Sequence, residues 1–413
     1  MAKVVSCIDI GTSKIVCLIA QLNSENKLCI KSASIHESDG VLDGNIININ
    51  AAAQAITKAL AKAEKIFKKN IDIVSVNISG NSLKSKNITV EVGSKVNRTI
   101  GNDSILQLAN KIDEGLRSES KVLIHLFPIG FSVDGVKTNN PLDIVGRNLR
   151  ATLHIFYTDK LKVDNIVNCL KKVDMSIHDF IFSGYASALA TLSSSEKING
   201  SLVVDIGASI TSFSVIYNNK FIFGNSIPIA GNSITKVLAE KIGTVFSLAE
   251  KIKLLNANLF LDEVENDEII KISIDDKETF KVAKIKKKVV NEVFGEGIAE
   301  IIRIIFELVS RKGLMSKIKK IVVTGGTANV LGIDNYISTI SGIETRIGYV
   351  LDDFHISSSL NKEKIKNPSY TTSVGLLKAF MESYKQKNIN DYKSNKNNFV
   401  NRTIDFLIDL FIT

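Results

Sequence analysis

The sequence predicts an α/β protein built from two related lobes that face each other across a cleft. Residues 4–21 are VVSCIDIGTSKIVCLIAQ, and residues 201–217 are SLVVDIGASITSFSVIY. In each stretch an apolar run ends in an aspartate and a glycine, and an alternating apolar run follows, as in a β-hairpin. The two aspartates, Asp9 and Asp205, lie nearly half the chain length apart, which indicates one such hairpin in each half.

Composition agrees with a folded, globular chain. Of 413 residues, 45% are hydrophobic and 23% are charged, and this length predicts two to four domains. The net charge of +9 permits contact with nucleic acid, lipid headgroups or an acidic peptide, but a lysine-rich composition explains it as well. The four cysteines form no Cys-x-x-Cys pair, so we expect core residues in a reducing compartment. We expect a cytosolic chain, because no apolar run approaches the roughly 18 residues of a spanning helix and no signal peptide is recognisable.

Hydrophobic periodicity predicts the elements of the first half. A separate block over 81–158 combines three strands with a helix over 103–117, for which Asp103 is the expected N-cap. The elements around this block are a helix over 51–69, a strand over 72–80, a helix over 160–173 and a strand over 177–182.

The second half repeats the hairpin and then becomes mainly helical. Its inserted hairpin, IIKISIDDKETFKVA, precedes a long helix over 284–311 with isoleucines on one face. The other expected elements are a strand over 220–228, a helix from about 231, a strand over 321–326, a helix near 329–340 and a helix over 370–384.

The two hairpin turns are candidate phosphate loops. Glycine permits tight turns, and small neighbours leave backbone N–H groups free to form an anion-binding nest. An aspartate beside each turn suits a hydrated Mg²⁺ that bridges phosphates. Either turn alone is more often an ordinary β-hairpin, but the pair favours phosphate binding. The stretch VVTGGTA supports this, because Gly325 and Gly326 follow a strand and allow a ring or ribose to approach the backbone.

Six stretches resemble the actin and DnaK-type chaperone ATPase superfamily and, within it, the FtsA family of bacterial cell-division proteins. The two DIG hairpins correspond to its first and second phosphate loops, and VVTGGTANVLGI corresponds to its adenosine motif. FSGYASAL and TTSVGLL resemble the two helices that connect the lobes. The stretches cover residues 8 to 377 and are DIGTSKIVCLIA, FSGYASALATL, VVDIGASITSFSVIY, IPIAGNSITKVLA, VVTGGTANVLGI and YTTSVGLL.

The resemblance implies a two-lobed actin-like ATPase fold with an extra subdomain inserted in the first lobe and a C-terminal amphipathic helix. The implied parts are a first-lobe core over 1–80, completed by 159–182 and 363–384; an inserted subdomain over 81–158; a second-lobe core over 183–230, completed by 311–350; an outer subdomain of the second lobe over 231–310; a flexible linker over 385–398; and a membrane-targeting helix over 399–413.

It also implies ATP and Mg²⁺ as cofactors. Asp9 and Asp205 would organise the metal through water. The residues implied to contact the nucleotide are Gly11, Thr12, Ser13 and Lys14 in the first loop, Gly207 and Ser209 in the second, and Glu250, Lys253, Gly325, Gly326 and Thr327 around the adenosine.

The second loop departs from the superfamily pattern D-x-G-G-G-T. Ala208 and Ser209 lack the backbone freedom of glycine, and Ile210 removes a hydroxyl. Phosphoryl transfer also needs an oriented water, and the sequence offers no convincing base. We therefore expect ATP binding with slow or absent hydrolysis.

The end of the chain, FVNRTIDFLIDLFIT, has strong helical amphipathicity and follows a polar stretch rich in lysine and asparagine. It is too short to span a bilayer and fits a tethered helix lying in the membrane interface. Docking on the protein's own body or on a partner are the alternatives. The residues expected to face lipid are Phe399, Val400, Ile404, Phe406, Leu407, Leu410 and Phe411.

The resemblance implies partners as well: the C-terminal peptide of the tubulin-like protein FtsZ, further copies of the chain in an actin-like filament, membrane lipids and other divisome proteins, but no nucleic acid. It places the chain on the cytoplasmic face of the inner membrane at the division septum. Lys286, Lys287 and Arg303 are candidate contacts for the peptide, and a solvated helix face is the alternative. Rival functions are a type IV pilus assembly ATPase, a DnaK-type chaperone and a small-molecule kinase on the same fold.

Overall fold

The computed structural model describes residues 4–23, 27–260, 267–276 and 279–387. The helix predicted over 399–413 lies outside these residues, as does the predicted linker from residue 388 onward. In the part of the chain that is described, no helix is long and apolar enough to cross a bilayer.

The first lobe is built on a six-stranded sheet covered on both faces. Its strands, in spatial order, are β11 (Ser176–Phe182), β6 (Ile73–Ile78), β1 (Val4–Ile10), β2 (Lys14–Leu22), β3 (Leu28–Glu37) and β19 (His355–Ile356). One face packs on α1 (Ile49–Phe67) and α3 (Lys160–Lys171), and a short hairpin of β4 (Val41–Leu42) and β5 (Asn45–Ile46) precedes α1. Asn48 caps α1 by accepting hydrogen bonds from the N–H groups of Asn50 and Ala51.

The second lobe has the same sheet topology. Its strands, in spatial order, are β18 (Thr345–Ile347), β17 (Lys320–Thr324), β12 (Ser201–Ile206), β13 (Thr211–Tyr217) and β14 (Lys220–Ile227). In each sheet three antiparallel strands lie beside two parallel ones, and the hairpin β1–β2 occupies the place of β12–β13. The first sheet has one strand more, because β19 pairs in parallel with β3. The predicted internal repeat is therefore confirmed at the level of strand order.

Helices dominate the rest of the second lobe. They are α6 (Gly231–Ile242), α7 (Phe246–Asn256), α8 (Lys287–Ser310) and α9 (Ile333–Ser341), with a hairpin of β15 (Ile269–Asp276) and β16 (Thr279–Lys286) between α7 and α8. Helix α8 starts at Lys287 rather than at the predicted 284, because the residues before it continue β16. Its predicted apolar face is confirmed, since Ile298, Ile301, Ile302 and Ile305 are buried.

The inserted subdomain is a four-stranded sheet with one helix. Its strands, in spatial order, are β7 (Lys84–Thr99), β10 (Val145–Asp159), β8 (Lys121–Val133) and β9 (Val136–Thr138), and α2 (Asn102–Ser118) packs on them. The sequence predicted Asp103 as the N-cap of α2, and this prediction is wrong. Gly101 takes that position in extended conformation, and Asp103 lies in the first turn of the helix.

Two helices lie between the lobes. Helix α4 (Ser183–Thr191) follows β11 and leads through α5 (Ser194–Asn199) into β12, while α11 (Thr371–Lys387) follows α10 (Lys362–Lys366). Helix α11 packs on the face of the first sheet opposite α1, where Val374, Leu377 and Phe380 are buried. Because α4 also packs against α11, this helix pair sets how the two sheets are placed.

Candidate functional site

The two candidate phosphate loops have the same turn geometry. The N–H of Gly11 donates to the carbonyl of Lys14 over 3.0 Å, and the N–H of Gly207 donates to that of Ile210 over 3.0 Å. A Cβ built on either glycine would lie 2.9 Å from that same carbonyl oxygen. No residue of either loop has a positive φ, so Ala208 and Ser209 need none of glycine's backbone freedom. The altered second loop therefore folds like the first.

Both loops open into one cleft of about 160 Å³. Strands β1 and β12 bring Asp9 and Asp205 to it, each one residue before the end of its strand. Most predicted site residues line this cleft: Asp9, Gly11, Thr12, Ser13, Lys14, Asp205, Gly207, Ser209, Gly325 and Gly326.

Three predicted residues lie behind the second loop instead of lining the cleft. The hydroxyl of Thr327 donates to the Gly207 carbonyl over 3.0 Å. The ammonium of Lys253 donates to the Gly231 carbonyl over 2.9 Å and pairs with Glu250 over 2.8 Å. The N–H of Gly231 in turn donates to the Gly207 carbonyl over 3.2 Å. These hydrogen bonds together hold the second loop against the start of α6.

Charge in the cleft is concentrated on Asp205, which is buried, and on Asp9 and Lys14, which are half-buried. Burial raises the pKa of Asp9 to about 6; the Lys14 ammonium opposes this shift and the Asp205 carboxylate adds to it. Burial likewise raises the pKa of Asp205 and lowers that of Lys14. Lys14 also donates to the Ser369 carbonyl over 2.9 Å, which fixes its ammonium beside the loops. The Lys14 ammonium therefore acts electrostatically on both carboxylates.

Sequence reasoning missed several polar residues of the cleft. Asn77 accepts a hydrogen bond from the N–H of Ile10 over 2.7 Å and so ties the end of β6 to the first loop. A signal was present, because asparagine interrupts an apolar strand next to β1, and the carboxyl ends of parallel strands meet at one edge. The missed lining residues are Ile10, Gly44, Asn77, Ser79, Ser183, Ser212, Pro368, Ser369 and Thr372, and Ala208 and Ile210 of the second loop line the cleft as well.

The residues present fit a phosphate chain with a hydrated divalent cation. Gly325 has φ +91°, and a Cβ there would lie 2.4 Å from Asp205 Oδ1, so only glycine leaves the carboxylate accessible. Carboxylate, hydroxyl and backbone oxygens are the ligands that a hard cation prefers. Among the residues described, no three His, Cys, Asp or Glu side chains cluster. A cation here would therefore take most of its ligands from water and phosphate. The part of the lining that the structure describes includes neither histidine nor glutamate.

The predicted peptide-binding cations are each paired with an acidic neighbour. Lys286 contacts Asp267 over 2.8 Å, Lys287 contacts Glu268 over 3.1 Å, and Arg303 contacts Glu300 over 2.8 Å. The positive charge they present to a partner is correspondingly reduced.

Comparison with known families identifies the chain. The model "Cell division protein FtsA" matches residues 202–375, and the model "SHS2 domain inserted in FTSA" matches residues 80–157, which contain the inserted sheet. The chain belongs to the FtsA family. Curated FtsA proteins from Rhizobium meliloti (26% identity, 91% of this chain, 87% of the relative) and Borreliella burgdorferi (27% identity, 94% of this chain, 92% of the relative) align over almost the full length.

Solved structures show the fold of this FtsA-family chain. The PilM-PilN type IV pilus biogenesis complex aligns with a TM-score of 0.68 at 13% identity, covering 91% of this chain and 98% of that one. MreB5 of Spiroplasma citri bound to ADP aligns with a TM-score of 0.56 at 16% identity, covering 94% and 99%. Such likeness confirms the predicted actin-like ATPase fold.

Proposed function

We propose that the cleft binds ATP with Mg²⁺. The observation that carries this proposal is the pair of equivalent turns, each beside an aspartate, opening into one cleft. The backbone N–H groups of both loops and the Lys14 ammonium would hold the phosphates. Asp9 and Asp205 would take up the cation through its water shell, and the cation would neutralise phosphate charge. The crystal structures of MreB5 of Spiroplasma citri bound to ADP and to AMPPNP have this fold and support the proposal of nucleotide binding.

We propose further that hydrolysis is slow or absent. Phosphoryl transfer to water needs a group that orients the nucleophile. Among the described residues, the carboxylates lining the cleft are Asp9 and Asp205, which the cation would engage, so none of the described lining residues remains as an independent base.

ATP affinity and single-turnover hydrolysis on the full-length chain test both statements. We expect measurable affinity and little product. Lys14→Met should weaken binding at least about tenfold, because a buried charged partner of the phosphates is lost. Lys95→Met is the control: it removes the same charge from an exposed residue of the inserted subdomain, and the affinity for ATP should stay unchanged. Fast turnover would contradict slow hydrolysis, and undetectable affinity would contradict ATP binding.

We propose that the chain tethers FtsZ filaments to the cytoplasmic face of the inner membrane at the septum. Membership of a family of cell-division proteins and the amphipathic sequence of 399–413 support the tether. Liposome flotation of the full chain and of a chain ending at residue 398 tests it. Loss of flotation in the shorter chain is expected, and equal flotation of both would refute membrane anchoring.

An FtsZ peptide would bind the outer part of the second lobe. Leu255, Phe260 and Leu331 are exposed there at 83%, 71% and 69%. Phe260 and Leu331 lie close together, because the N–H of Leu259 donates to the Leu331 carbonyl over 2.8 Å. Apolar groups on the same lobe as the cations Lys286, Lys287 and Arg303 suit a peptide that is both acidic and apolar.

Co-sedimentation with FtsZ filaments tests this surface. Phe260→Ser and Leu255→Ser should reduce co-sedimentation, whereas Leu161→Ser, equally exposed at 71% on α3, should not. No co-sedimentation of the unchanged chain would favour the alternative of a type IV pilus assembly ATPase, which the TM-score of 0.68 with the PilM-PilN complex keeps open. Self-association into an actin-like filament and contacts with other divisome proteins belong to the same proposal.

A further inference from the structure

Two neighbouring residues of α11 each contact one of the cleft aspartates. The hydroxyl of Thr372 donates to Asp205 Oδ2 over 2.7 Å, and the hydroxyl of Ser373 donates to Asp9 Oδ2 over 3.1 Å. Asp205 belongs to the second lobe and Asp9 to the first. One turn of one helix therefore holds a carboxylate from each lobe.

A second hydroxyl contacts Asp205. Ser187 of α4 donates to the same Oδ2 over 2.5 Å, and its oxygen lies 3.0 Å from that of Thr372. Each hydroxyl has a single proton, so both protons are directed at one carboxylate oxygen. Oδ1 of Asp205 is the oxygen left for other ligands, and it lies beside Gly325 at the cleft.

We propose that Thr372 and Ser373 are positioning residues that fix both aspartates for one hydrated cation. This rests on the proposed binding of Mg²⁺ with a nucleotide. Mg²⁺ requires near-octahedral geometry and keeps several waters, so the carboxylates that hold those waters must be closely oriented. Hydrogen bonds to metal-binding carboxylates supply such orientation, and their loss costs about 10–100-fold in metal affinity.

The test compares nucleotide affinity of the full-length chain in Mg²⁺ and in EDTA. Thr372→Val removes the hydroxyl at nearly constant volume, and Ser373→Ala removes the other. Each should lower the ratio of the affinity in Mg²⁺ to the affinity in EDTA about tenfold. Thr372→Ser restores the hydroxyl and should restore affinity. Thr371→Val is the matched control, because its buried hydroxyl donates to the Pro368 carbonyl over 2.9 Å and contacts neither aspartate.

Thermal unfolding without nucleotide checks that the variants fold. If Thr372→Val unfolds below the assay temperature, the affinities in Mg²⁺ and in EDTA are compared for Ser373→Ala and Thr372→Ser instead. Equal losses in Mg²⁺ and in EDTA, or an equal loss in Thr371→Val, would show a purely structural role and overturn the inference. Mg²⁺-dependent binding that none of the variants weakens would also overturn it while leaving the proposed function intact. Absence of nucleotide binding by the unchanged chain would overturn both.

Discussion

Gly375 of α11 lies so close to Ala186 of α4 that a Cβ built on Gly375 would be 1.9 Å from the Ala186 carbonyl oxygen. The obstacle is backbone, which cannot rotate away as a side chain can. Gly375→Ala should therefore push apart the two helices that join the lobes and destabilise the protein by at least about 1–3 kcal/mol. Chemical denaturation of the two proteins measures this difference.

Gly115→Ala is the matched control. It also lies within a helix, α2, but a Cβ there would meet no atom within 4 Å. Replacing a helical glycine by alanine in open space should stabilise the helix by up to about 1 kcal/mol. Equal destabilisation by both substitutions would contradict the role assigned to the α4–α11 crossing.

The paired glycines after β17 should respond differently to substitution. Gly325→Ala places a Cβ against Asp205 and forces an L residue to φ +91°, so nucleotide affinity should fall more than about tenfold. Gly326→Ala meets only the Ser369 hydroxyl at 3.8 Å and should retain most of the affinity. Calorimetric titration with MgATP compares the two variants. A similar loss in both would show that Gly325 has no special role at the cleft.

The sequence predicted those parts of the site that local patterns encode. Both loops, both aspartates and the glycine pair were found because each lies at a strand end followed by a turn. Thr327, Glu250 and Lys253 were assigned to the nucleotide by resemblance, and that assignment stays a prediction; in the structure they contact the second loop and the start of α6. Their placement depends on how α6 and α7 pack, which no short pattern specifies.

The fold was predicted on the same basis, with failures where tertiary contacts decide. The repeated hairpins allowed the two lobes to be predicted, and hydrophobic periodicity predicted the buried face of α8. The two residues of β19 were not predicted as a strand, because only their parallel pairing with Cys29 and Ile30 of β3 makes them one. Likewise Thr372 and Ser373 are ordinary helix residues in sequence, and only the meeting of both lobes at α11 brings them to the aspartates.

The ion pair between Glu196 and Arg346 should make stability depend on pH. Glu196 accepts two hydrogen bonds of 2.7 Å from the guanidinium, and only 12% of its side chain is exposed. Burial alone would raise the pKa of Glu196, but the hydrogen bonds from Arg346 and Ser193 outweigh burial and lower it to about 2. A lowered carboxyl pKa stabilises the fold above the unfolded value of 4.5, and this stabilisation is lost as pH falls towards 2.

Glu196→Gln should therefore destabilise the protein by about 2–3 kcal/mol at pH 7 and by progressively less below pH 4.5. Urea unfolding across this range measures the difference. Glu344→Gln is the control, because Glu344 pairs with Lys320 at 72% side-chain exposure and such exposed pairs contribute little. A pH-independent effect of Glu196→Gln would contradict the linkage.

His125 should make the junction of the inserted subdomain sensitive to mild acid. Its Nε2 accepts a hydrogen bond of 2.9 Å from the N–H of Phe182, and its ring lies among those of Phe127, Phe156 and Tyr185. Burial lowers the pKa of His125 from 6.5 to about 4, although Asp179 opposes the shift. Below pH 6.5 the imidazole of His125 is protonated in the unfolded chain but stays neutral in the folded chain. The free energy of unfolding therefore falls as pH decreases from 6.5 to 4.

His125→Gln keeps an acceptor for the Phe182 N–H but cannot titrate. Between pH 7 and pH 4.5 this variant should lose about 2–3 kcal/mol less stability than the unchanged chain, as measured by urea unfolding at both pH values. His355→Gln removes an exposed histidine and should follow the unchanged chain. If acid weakens His125→Gln as much as the unchanged chain, the acid sensitivity does not come from His125.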